Sequence, residues 1–449
     1  MQKWLKGLIA VFLSFAMVLS CGGCADNNTS GQSEGTQSNS SGEAIENDNT
    51  ANAPAKTIDY LSVRNADHSA QVVLSQILEE YQEEVNPNFN IEVNSIVDRP
   101  TQEQKLKTLV ASNNIPDWFE VDANSYCEQL IDKGLIINIA ELLEELGVYD
   151  KYHASALAYQ TINGKIYTLP IENNIEYYWY NKKMFQDAGI TEPETFEQLL
   201  EACQTLKNKG VTPIAICGKD GWPLMRYFSF IPFRMTGNEY LHDVVDGKAS
   251  MTDDVGMKGL EHVQQLGAFF QDGFASTDYT STIDLFMGGK AAIYYTGTWE
   301  LNTFMNATGE MQDNIDYFHL PIISDEDATP KEDCVTNSGI GIAMCAEKFD
   351  DTTKDFVSFM IDRYPEKAIA HGFLPPMETE IPEDSPELLK RIAEDMANVE
   401  TVAELWDVKL DPVTKELFES ELSSVSMGII TPEEFASKVD ESIQEKLNG

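Results

Sequence analysis

The run Asn163-Gly164-Lys165-Ile166-Tyr167-Thr168-Leu169-Pro170, followed by Glu176-Tyr177-Tyr178-Trp179-Tyr180-Asn181 and then Thr195-Phe196-Glu197-Gln198, decides how this chain is built. Gly164 permits a turn, Ile166 to Leu169 alternates as a strand does, and Pro170 breaks it because it lacks an N–H. Tyr177 to Tyr180 alternate between two sheet faces, so about two of these four side chains are expected in a core. Thr195 and Gln198 stand at capping-box spacing and open a helix, which Lys209-Gly210 ends before a strand from Val211 to Cys217. Working outward toward the N-terminus, Thr57 to Val63 reads as a strand, Ser69 to Val85 as an amphipathic helix and Asn90 to Val97 as a strand. Thr101-Gln102-Glu103-Gln104 then reads as a capping box opening a helix to Ala111, and Asp117 to Val121 as a further strand. Such alternation predicts α/β sheets flanked by helices. Ligands of such sheets sit beyond the carboxyl ends of the strands, which makes Arg64-Asn65-Ala66-Asp67 and Asp122-Ala123-Asn124 the candidate ligand loops. Asp and Asn in those loops equally suit helix caps.

The chain has 449 residues, more than one hydrophobic core usually organises, which points to two lobes. Hydrophobic residues make up 42% and aromatics 10%, a composition that folds into a globular body. Its formal net charge of −43 opposes nucleic acid and anionic lipid and favours neutral or cationic ligands.

Lys3 and Lys6 precede an apolar stretch from Gly7 to Leu19 that is short for a membrane span and fits an export signal, residues 1–20. Val18-Leu19-Ser20-Cys21 resembles a bacterial lipobox, which makes Cys21 the expected site of lipid attachment, with Cys24 as the alternative. A diacylglycerol there would hold the protein durably on the outer face of the cell membrane. From Ala25 to Ala55 the chain is Asn, Ser, Gly, Thr, Gln and acids, a flexible leash; anchor and linker together take residues 21–56. Cys127, Cys203, Cys217, Cys334 and Cys345 are odd in number and widely spaced, as core hydrophobes are, and no metal site is expected.

The order of "NGKIYTLP" (163–170), "YYWYNKKMFQDAGI" (177–190) and "PETFEQLLEACQTLKNKGVTPIAI" (193–216) resembles the family 1 extracellular solute-binding proteins, the group that includes maltose-binding protein. Phe286 to Trp299, ending Gly297-Thr298-Trp299, is similar to that family's segment closing on Gly-x-Trp, and Gly339 to Ala346, Lys354 to Met360 and Gly372 to Pro375 follow its final strand, helix and loop. The resemblance runs from Thr57 to Gly449. It implies a type II, two-lobed periplasmic-binding-protein-like fold, hinged around Pro170 to Asn174. One lobe would comprise 57–170 with about 300–347, the other 171–299 with about 348–449. It also implies capture of a carbohydrate, in the first place an oligosaccharide, for an ABC import permease, by a monomer without a cofactor. A non-sugar solute, or a signalling role on the same fold, is the alternative.

Sugar binding needs flat aromatic faces together with carboxylates, amides or Arg to orient hydroxyls. Trp299 matches the tryptophan of the family motif and ranks first; Trp222 opens a helix with Arg226 one turn later on the same face. Glu172, Asn173 and Asn174 fall where the resemblance places a ligand-contacting acid. The helical tail from Ser385 to Leu447 is expected to pack on the second lobe, because Leu388, Ile392 and Met396 recur at helical spacing. A secreted glycosidase ranks behind: the sequence holds no H-E-x-x-H and no P-loop, and its six histidines are scattered.

Overall fold

The computed structural model describes residues 53–305 and 311–448; the expected signal segment, Cys21, Cys24 and nearly all of the linker lie outside the described residues. Strands β1 (Lys56–Ser62), β2 (Phe89–Ser95) and β3 (Trp118–Val121) begin the first lobe. A small hairpin of β4 (Thr161–Ile162) and β5 (Lys165–Ile166) follows. The second lobe takes β6 (Asn174–Asn181), β7 (Thr212–Ala215), β8 (Ala291–Gly297), β9 (Ile315–Phe318) and β10 (Thr336–Asn337), and β11 (Gly341–Met344) returns to the first. The first sheet runs β11-β3-β1-β2, parallel except for β11. Consecutive residues leave it for opposite faces: Tyr60, Trp118 and Ile342 join one core with the helices Ser69–Glu84 and Asp351–Ala370, while Leu61, Phe119 and Ala343 join another with Leu106, Cys127 and Leu130.

In the second sheet β6 lies between β8 and the pair β9 and β10. All eight residues of β6 are buried, so Tyr177, Tyr178, Trp179 and Tyr180 are all core, not the expected two. A central strand covered by helices on both sides has no solvent face. The helix Phe196–Asn208 opens with the expected Thr195–Gln198 box. Thr101, by contrast, caps nothing: the helix starts at Arg99, with Pro100 in its first turn and Asp98 accepting from the Thr101 N–H. All five described cysteines are buried and free.

Among the described residues the chain crosses between lobes three times. Ile171 packs in the first core and Ile175 in the second; Val335 lies in the second and Ile342 in the first; Met377 lies in the first and Leu388 in the second. These crossings redraw the expected lobe limits. Residues 315–318 and 336–337 pair with β6 and so belong to the second lobe, and the helix Asp351–Ala370 belongs to the first through Phe356, Val357 and Met360. The tail does pack on the second lobe, Leu388 and Ile392 within its core and Trp406 against Phe228 and Phe418.

Candidate functional site

Three arginines held by carboxylates frame a cavity of about 360 Å³ between the lobes. Arg64 follows the carboxyl end of β1, and its guanidinium lies 2.5 Å from Glu120 on β3 and 2.9 Å from Glu172 on the first crossing. It also donates to the Ile340 carbonyl at 3.2 Å. Glu120 accepts in addition from the Val63 N–H at 2.6 Å, from Ser62 Oγ at 3.0 Å and from the Tyr60 hydroxyl. Burial alone would push the Glu172 carboxyl up; Arg64 outweighs it, with His68 and Asn174 adding, and holds the group below its ordinary range. Gly339, at φ +67°, is required where the chain passes this pair, since a Cβ there would lie 2.6 Å from Glu172 Oε2.

On the opposite wall Arg226 donates through Nε to Glu176 at 3.3 Å and through Nη1 to Asp407 at 2.5 Å. Asn337 also donates to Glu176, at 3.0 Å. Burial pushes both carboxyls up; at Asp407 the guanidinium prevails and holds the group below its ordinary range, while Glu176, beside Asp407, stays above. The third arginine, Arg99, pairs with Asp122 at the end of β3. With its partners engaged, each guanidinium is fixed in direction, which suits orientation of ligand hydroxyls.

The aromatic floor comes from the second lobe. Trp222 is buried at the start of its helix, and the Arg226 guanidinium lies 5.2 Å from its ring centre. Trp299, half-buried just after β8, meets Trp222 at 6.2 Å and 67°. Its indole N–H donates to the Tyr279 hydroxyl at 2.7 Å, which donates in turn to Glu300 at 2.6 Å. Gly297 makes this ring position possible: a Cβ there would lie 2.5 Å from Cη2 of Trp299 and nearer still to two other ring carbons.

Seven of the ten residues expected at a ligand site, Arg64, Asp67, Asp122, Glu172, Trp222, Arg226 and Trp299, line this cavity. Asn124, Asn173 and Asn174 do not. Asn124 caps the helix Ser125–Asp132, accepting from the Tyr126 and Cys127 N–H groups, and with Asn173 faces a neighbouring cavity of about 840 Å³. Asn174 is buried, accepting from Thr298 and donating to Glu172. Sequence reasoning missed Arg99, Glu176, Asp220, Tyr279, Glu300 and Asp407, all of which line the cavity. Glu300 adjoins Trp299 in the chain and was within reach of the motif; Asp407 and Arg226 stand 181 positions apart, and nothing local connects them.

A lobed α/β body with this interlobe cavity matches known proteins. The family described as "Bacterial extracellular solute-binding protein" matches residues 76–407, about three quarters of the chain. The chain belongs to that family. Among curated relatives, this solute-binding protein is 26% identical to the multiple sugar-binding protein of Streptococcus mutans, over 55% of this chain and 58% of that one. It is also 26% identical to an uncharacterized ABC transporter extracellular-binding protein of Pyrococcus horikoshii, over 53% and 54%. It thus spans about half the length of the curated relatives it matches. Solved structures share the fold over nearly their whole length. A chitin oligosaccharide binding protein aligns with TM-score 0.76 and 23% identity, covering 88% of this chain and 100% of that one. RafE, solved in complex with raffinose, aligns with TM-score 0.66 and 19% identity, covering 86% and 98%. At these identities the likeness is one of fold. The type II two-lobed architecture is therefore established, and the family is one of binding proteins found outside the cytoplasm.

Proposed function

We propose that this solute-binding protein captures a carbohydrate, in the first place an oligosaccharide, between its lobes and delivers it to an ABC import permease. The observation that carries this reading is the pairing of Trp222 and Trp299 on the floor of a cavity whose walls hold Arg64, Arg226 and their carboxylates in fixed directions. Aromatic faces suit the C–H patches of pyranose rings, and fixed charged groups suit their hydroxyls. Asp67 and Asp122 add acceptors from the first lobe. The ligand would touch both lobes and stabilise the closed arrangement by its higher affinity for it. The relatives named for sugars support the same class. The chemistry is capture, not turnover, and the chain works as a monomer tethered through lipid on Cys21, or on Cys24. A thermal-shift panel of oligosaccharides tests the ligand class, because a ligand that binds only the folded state raises its stability. Response to peptides, polyols or phosphorylated solutes alone would keep the binding role and remove the carbohydrate. Cys21→Ala should release the protein from the membrane; retention would move the anchor to Cys24.

A further inference from the structure

The charge in the cavity wall does not balance. Eight carboxylates line it against three guanidiniums, and all three guanidiniums are consumed by ion pairs with Glu172, Asp122, Glu176 and Asp407. The other four acids, Asp67, Asp220, Asp284 and Glu300, form no ion pair among the described residues. Glu300 is served by Tyr279 and Thr303 hydroxyls, and Asp67 and Asp284 are open to water. Asp220 is different. It is only 8% exposed, it lines the cavity, and its Oδ1 is buried with no hydrogen-bond partner. A buried carboxylate oxygen without a donor is costly, so a donor is expected at this carboxylate when ligand is bound. Burial pushes this carboxyl above its ordinary range, with Cys217, Arg99 and Lys219 opposing only in part.

A neutral sugar hydroxyl would supply a donor but leave the excess charge. A metal ion would supply charge, but no group of three or more His, Cys, Asp or Glu is arranged to hold one among the described residues. An ammonium supplies both, with charge-assisted hydrogen bonds roughly twice as strong as neutral ones. Resting on the carbohydrate reading above, we infer that the preferred ligand is a glycan with at least one free amino group, an unacetylated hexosamine unit, seated with its ammonium at the Asp220 carboxylate. The two tryptophans stack the rings and Asp220 selects the charge.

The test is calorimetric titration of the protein with glucosamine and galactosamine oligomers of two to four units, alongside their N-acetylated counterparts and the neutral glucose and galactose oligomers. Amino forms should bind roughly tenfold tighter than either counterpart, and the advantage should shrink as salt rises. Asp220→Asn should reduce that advantage to about threefold or less, and Asp220→Glu should retain most of it. Equal or tighter binding of acetylated or neutral forms by the parent overturns the inference while leaving the carbohydrate reading in place. An undiminished amino preference in Asp220→Asn overturns the role of Asp220. Should Asp220→Asn lack a cooperative melting transition, the parent's comparison of amino with acetylated forms decides alone. Failure of every sugar to bind removes the carbohydrate reading and this inference with it.

Discussion

Gly297→Ala separates the position of Trp299 from its presence. Gly297 has φ −91° and ψ 176°, a conformation alanine adopts without strain, so the backbone has no reason to move. The added methyl, however, would lie 2.5 Å or less from three ring carbons of Trp299, where carbon atoms normally keep about 3.5–4.0 Å. The ring must therefore swing by roughly 1 Å or more, which breaks its 2.7 Å hydrogen bond to Tyr279 and its edge contact with Trp222. Overpacking of this kind costs about 1–3 kcal/mol of stability, survivable for a domain with about 5–15 kcal/mol in hand. Stacking on a ligand ring is worth about 0.5–1.5 kcal/mol beyond the area it covers, so affinity should fall roughly tenfold. The assay is a tryptophan-fluorescence titration with an oligosaccharide that binds the parent, with the melting temperature as a check on folding. The variant Trp299→Ala should lose at least as much, and the double variant no more than Trp299→Ala alone, because both act through one ring. Parental affinity in Gly297→Ala, or fully additive losses in the double variant, would refute the placement of Trp299 against the ligand.

Arg64→Met should be among the most destabilising single changes, by about 3–5 kcal/mol in denaturant unfolding, because it strands Glu120 and Glu172 as buried carboxylates; a loss under about 1 kcal/mol would contradict the buried ion-pair account. Burial pushes His262 down to about 4 from 6.5, so the unfolded chain binds this proton first; stability is full above 6.5 and falls by up to about 3 kcal/mol as pH drops toward 4. His262→Phe should flatten that acid limb in melting curves, and an unchanged limb would assign it to other groups. Lys219 of the second lobe reaches Asp98 of the first, both partly exposed, so Lys219→Met should weaken ligand binding by no more than a few-fold, about 1 kcal/mol at most, in low salt and not at all in high salt.

The fold was readable because its signals are local. The Thr195 to Gln198 box, the alternation along β1 and β2 and the Gly-x-Trp motif each act within a few residues, and loops after β1 and β3 do bring Arg64 and Asp122 to the cavity. The lobe limits were not readable, since β9 and β10 are four and two residues long and declare their lobe only through pairing with β6. Asn124 illustrates the ambiguity of such loops: the same amide that could meet a hydroxyl here satisfies two helix N–H groups. Glu176 was hidden inside an aromatic strand that reads as core, and Asp407 inside a tail that reads as packing. Both functions hold at once for that tail, with Trp406 in the core and Asp407 in the wall of the cavity.

The most direct test of the central claim is calorimetric titration of the protein with an oligosaccharide that raises its melting temperature, repeated on the Trp222→Ala, Trp299→Ala double variant. Capture between the lobes predicts one site per chain, a negative heat-capacity change and an affinity about a hundredfold weaker in the double variant. Unchanged affinity without the two tryptophans, or no heat from any sugar, would contradict it.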